Sequence, residues 1–129
     1  MQRLTLVTSL AWFIPGAILT QFLLAGLSLF HDTQLWAVHA GLGLALALAL
    51  PIGGVALKTI VSGYAPHLRV WALIQVGIYA GQIVLIIVGQ NTGTGILQAL
   101  HVFNGSLLLL VSFLVAQKVG PASTRQSST

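Results

Sequence analysis

Four stretches of about twenty apolar residues, separated by short polar breaks, constrain this chain more than any other feature: Leu4–Leu29, Leu35–Leu57, Val70–Val88 and Ile96–Gln117. A run of that length crosses the hydrocarbon layer of a bilayer as a helix. Inside lipid only a helix or a closed barrel leaves no backbone polar group unpaired. The breaks carry turn chemistry: Phe30-His31-Asp32-Thr33, then Lys58 through Arg69 with Gly63 and Pro66, then Gly89 through Gly95. Short connections join antiparallel neighbours, so residues 1–117 are expected to form an all-α integral membrane domain, a four-transmembrane-helix up-down-up-down bundle. Composition agrees, because 57% hydrophobic and 5% charged residues cannot clothe a water-facing surface. The first run follows Met1-Gln2-Arg3 as a signal peptide would, but it is too long for an h-region and reads as a retained span.

The few charges orient the bundle. Arg3, Lys58, Arg69, Lys118 and Arg125 all fall on one side of a four-span topology, and the opposite breaks carry Asp32 and no cation. The positive-inside rule then places both termini in the cytoplasm, in a membrane expected to be the bacterial inner membrane. The net charge of +4 has this topological use, and nucleic acid is not an expected partner. Trp36 and Trp71 stand at helix starts, where indole rings mark the interface. With no cysteine in the chain, disulfides, thiolate chemistry, Cys-ligated zinc and covalent c-type haem are excluded. The spans hold no carboxylate, Lys or Arg to relay protons or bind a charged substrate, so a hydrolase or transporter is not supported, and no catalytic residue is assigned. The polar C-terminal tail, 118–129, is Ser/Thr-rich behind Gly120-Pro121 and is expected to order only against a neighbouring subunit.

The spans contain a weak internal repeat. At an offset of 61 or 62, Gln21 falls on Gln82, His39 on His101 and Gly43 on Gly105, which predicts a parallel two-helix repeat. The rise of a helix puts the histidines roughly 6–8 Å inside the outer ends of their spans, and the glutamines in the same outer layer. Each glycine lies one turn beyond its histidine on the same face, where a missing side chain would open a slot beside the imidazole.

A histidine at such depth is a functional candidate by default. Two of them, opposed at equal depth, meet the needs of a bis-histidine haem b site, with His39 and His101 as metal ligands, Gly43 and Gly105 giving room, and Gln21 and Gln82 in the second shell. The competing structural reading is that each histidine bonds a Gln or Asn across a helix interface and each glycine permits close packing. Zinc lacks a third ligand at this depth. His31 and His67 fall in opposite loops and are expected to be solvated. Gly77-Ile-Tyr-Ala-Gly81 is a small-residue packing motif, Pro15 and Pro51 are expected to kink their helices, and Asn104 could orient His101 or cap a neighbour.

Gln21-Phe-Leu-Leu-Ala-Gly26, His39 with Gly43, the glutamine of the third span and Leu100-His101-Val-Phe-Asn104-Gly105 together resemble an uncharacterised family of small four-helix bacterial membrane proteins. The repeated Gln-then-His layout more distantly resembles one half of haem A synthase, which implies haem ligands at His39 and His101. The chain has one bundle and lacks the Glu and Arg beside the synthase's catalytic histidine, so the likeness implies haem binding rather than haem modification. Two function classes follow: a small haem b membrane subunit for electron transfer, or a cofactor-free accessory subunit of a larger respiratory or photosynthetic complex. Either version calls for other membrane subunits as partners.

Overall fold

The computed structural model describes residues 2–44 and 47–119, with side chains from Leu6 onward. These residues form α1 (Gln2–Phe30), α2 (Leu35–Leu44), α3 (Ala49–Val61), α4 (Pro66–Thr92) and α5 (Gly95–Val119). They make four spans long and apolar enough to cross a membrane: Leu6–Phe30, Leu35–Val61, Pro66–Thr92 and Gly95–Val119. The tail beyond Val119 lies outside the described residues.

The spans are longer than their apolar runs. The expected break from Lys58 to Arg69 shrinks to residues 62–65, and that from Gly89 to Gly95 shrinks to Gly93-Thr94. Polar residues at a helix end reach water by side chain while the backbone stays helical, so loss of apolarity precedes loss of helix. Pro66, in the first turn of α4, supplies its start. Gly93 supplies its end: at φ 64° it takes the left-handed conformation, and Thr94 N–H then bonds the Gly89 carbonyl at 3.1 Å.

The second span is broken rather than kinked. Pro51 has no N–H to give and its ring would collide with the carbonyl four residues back, so it is tolerated only in a first turn. It stands third in α3, whose first bond runs from Ile52 N–H to the Leu48 carbonyl at 3.0 Å. Pro15, by contrast, lies within the unbroken α1.

Short connections make sequential spans antiparallel, as expected. α1 packs on α2, α3 and α5, and α4 packs on α3 and α5. The spans therefore form a ring in which the second faces the fourth across the diagonal. The cations collect at one end: Lys58 in the last turn of α3, Arg69 near the start of α4 and Lys118 in the last turn of α5. Asp32 marks the other end, its Oδ1 accepting from Gln34 N–H at 2.9 Å.

The bundle has two storeys. At the cation end Val7, Ala11, Ile14 and Ile18 of α1 interlock with Ile52 and Val55 of α3, Leu68 of α4, and Val111, Val115 and Val119 of α5. Between lipid-immersed helices such contacts hold by dispersion, since lipid tails are as apolar as leucine. At the Asp32 end packing thins, and α2 buries no residue at all. Gly77 and Gly81 do not serve the packing expected of them inside the chain. A Cβ at either would meet nothing within 4 Å. Gly89 takes that role, letting α5 approach so closely that a Cβ there would lie 3.2 Å from that of Leu97.

Candidate functional site

The thinly packed storey carries the polar side chains singled out from the sequence. In each half the histidine ring faces a backbone carbonyl of the preceding span: His39 Nδ1 lies 3.1 Å from the Gln21 carbonyl oxygen, and His101 Nδ1 lies 3.0 Å from that of Gln82. A carbonyl only accepts, so the contact calls for a protonated Nδ1, and a neutral imidazole then carries its lone pair on Nε2. The two histidines meet the same kind of acceptor at the same ring atom. The repeat read from the sequence is present as a repeated hydrogen bond.

The second half adds a relay. Asn104 Nδ2 donates to Gln82 Oε1 at 2.8 Å and to the Ile78 carbonyl at 2.9 Å. This turns the Gln82 amide nitrogen toward His101, where it donates to Nε2 at 3.3 Å. In the first half the Gln21 amide, with its nitrogen toward α2, donates to the His39 carbonyl at 2.9 Å and accepts from Gly43 N–H at 3.3 Å, and the same nitrogen reaches His39 Nδ1 at 3.0 Å, where it competes with the backbone carbonyl for that ring atom. His39 Nε2 has no such amide partner. Its ring meets Trp36 edge to face, with centroids 5.4 Å apart.

The glycines play a different part from the one expected. Instead of opening an empty slot beside each imidazole, they make room for the glutamines. A Cβ at Gly43 would lie 3.4 Å from the Gln21 side-chain amide, and one at Gly105 would lie 3.2 Å from Gln82 Nε2 and 3.3 Å from Phe22 Cζ. All six residues named from the sequence (Gln21, His39, Gly43, Gln82, His101 and Gly105) therefore fall in the same layer. His39 and His101 stand on diagonally opposed spans. His31 and His67 are exposed at opposite ends, as expected.

Tyr79 and Ser112 escaped the sequence reading. Tyr79 donates its hydroxyl to the Gly43 carbonyl at 3.0 Å and so ties α4 to α2. Below it, buried Gln75 donates to Ser112 Oγ at 2.8 Å, and Ser112 donates to the Leu108 carbonyl at 2.7 Å. The signal for Tyr79 was its spacing, since Gln75, Tyr79 and Gln82 lie four and then three apart on one helical face.

Residues 21–90, more than half of the 129, match the model of a family of unknown function (DUF6220). The chain belongs to this family. The DUF6220 match covers Gln21, His39, Gly43, Tyr79 and Gln82, and ends before α5 brings in His101, Asn104 and Gly105. No curated protein and no solved structure matches the chain.

Among the described residues no three His, Cys, Asp or Glu side chains gather as a metal site. What the layer holds is two imidazoles on diagonally opposed spans, that of His101 with its Nε2 met by the Gln82 amide.

Proposed function

We propose that this DUF6220 protein is a small membrane subunit that binds one haem b through His39 and His101 and serves single-electron transfer. The observation that carries the reading is the mirrored bond from each Nδ1–H to a backbone carbonyl. A carbonyl bonded to Nδ1–H would leave Nε2 of each ring to meet an iron, the way carbonyls orient metal-bound histidines. A porphyrin supplies four nitrogens to its iron, so two imidazoles complete the set. The storey holding them buries nothing on α2, so that helix can make way with little loss of packing. Gln82 must release His101 Nε2 when the haem enters, and Asn104 keeps hold of its oxygen. The distant likeness to one half of haem A synthase belongs to this proposal. So does the orientation, with both termini in the cytoplasm of a bacterial inner membrane.

The test is a visible spectrum of protein purified after expression with ample haem. A Soret band and a sharp reduced α-band are expected, and His39→Ala or His101→Ala removes the α-band while the protein still inserts. Wild-type protein without Soret absorption overturns the reading.

A second reading has its own observation. Gly77 and Gly81 lie open on the outer face of α4, and His101 is already satisfied by Gln82. Both features suit a cofactor-free accessory subunit of a larger respiratory or photosynthetic complex, packed through α4 against another helix. Co-migration with redox subunits after mild extraction, without haem in this chain, would favour it.

A further inference from the structure

We propose that the groove between α1 and α3 at the cation end is a binding site for one anionic phospholipid. The inference is independent of the haem reading, because the groove lies in the other storey. It is a crevice of about 330 Å³ lined by Leu6, Val7 and Leu10 of α1 and by Gly54 and Lys58 of α3. Gly54 and Lys58 are four apart and share a helical face. The absent side chain at Gly54 opens the floor, since a Cβ there would meet nothing within 4 Å.

Polarity is graded along the groove. Lys58 stands in the last turn of α3, at the membrane edge, and Gly54 lies one turn deeper. On the other wall Leu6 and Leu10 supply an apolar ridge. A cation at the rim over an apolar trough fits an amphiphile with its phosphate outward and an acyl chain along the leucines. Among the described residues no carboxylate lies at this end, because the one acidic side chain, Asp32, stands at the opposite end of the bundle. Arg69 and Lys118 add positive potential at the same end. A zwitterionic headgroup would bring its own cation beside Lys58, so the site selects a headgroup of net negative charge.

The full-length protein in mild detergent, examined by native mass spectrometry with phosphatidylglycerol or phosphatidylcholine added, tests the assignment. Wild-type protein should retain phosphatidylglycerol about fivefold more than phosphatidylcholine, the factor that one surface cation contributes toward an anionic lipid. Lys58→Gln should bring the ratio close to one, and Lys58→Arg should keep it. Gly54→Leu, whose Cβ would meet nothing within 4 Å and whose longer side chain fills the floor, should lower retention of phosphatidylglycerol while the far-UV spectrum stays unchanged. Unchanged selectivity in Lys58→Gln, or equal retention of both lipids by wild type, overturns the proposal. Displacement of the lipid by millimolar inorganic phosphate also overturns it, in favour of a free-anion site.

Discussion

Replacing Gly105 by alanine probes the layer that holds both histidines. The new Cβ would stand 3.2 Å from Gln82 Nε2 and 3.3 Å from Phe22 Cζ. Gln82 cannot simply swing aside, because its oxygen is held by Asn104 at 2.8 Å and its nitrogen faces His101 Nε2 at 3.3 Å. Either α5 backs away from α1 and α4, or the amide lets go. Overpacking of this kind costs about 1–3 kcal/mol, and a lost interhelical hydrogen bond in a membrane bundle about 0.6 kcal/mol, rising to ~1.7. Alanine also favours a helix over glycine by up to ~1 kcal/mol, which would mask part of the loss. Gly77→Ala removes that ambiguity, since it has the same propensity gain and no atom within 4 Å. The difference between the two variants isolates the contact, and Gly105→Ala should be the less stable by about 1–3 kcal/mol. Unfolding by sodium dodecyl sulfate in mixed micelles, followed by far-UV circular dichroism, reads it. Equal stability of the two variants would refute the close seating of Gln82 and Phe22 over Gly105.

Ser112→Ala should destabilise the bundle by about 1 kcal/mol in the same titration, because it strips the buried Gln75 amide of its acceptor. Gln75→Leu should be neutral or stabilising: it also removes Gln75 Oε1, which has no donor among the described residues, and leaves Ser112 its bond to the Leu108 carbonyl. Tyr79→Phe deletes the hydroxyl that holds the Gly43 carbonyl, so amide exchange in α2 should quicken while α5 is unchanged; equal exchange in α2 would show that the bond does not secure that helix. Cysteines placed at Thr33 and Thr92 should react with an impermeant maleimide from outside the cell and one at Ser123 should not, with the reverse pattern overturning the proposed orientation.

Much of this architecture was legible because lipid narrows the choices. Apolar length gives spans, short breaks give antiparallel order, and lone polar residues such as Gln21, His39, Gln82 and His101 stand out against leucine and alanine. Their shared layer follows from helical rise alone. Three things awaited the tertiary structure. The helix ends ran past the apolar runs, because interfacial side chains can leave the membrane while their backbone remains helical. Pro51 was visible, but that it would stand in the first turn of a separate helix was not. Nor was the bond by which Tyr79, a residue of another span, holds the Gly43 carbonyl. The glycines likewise declared only an absence, and a missing side chain does not say what will enter the space. The neighbouring spans put Gln21 beside Gly43, put Gln82 and Phe22 beside Gly105, and left Gly77 and Gly81 facing outward. Spacing along one helix sets which residues share a face. Which way that face turns is decided by the packing of all four spans, and packing between lipid-immersed helices depends on close contact that no single stretch of sequence encodes.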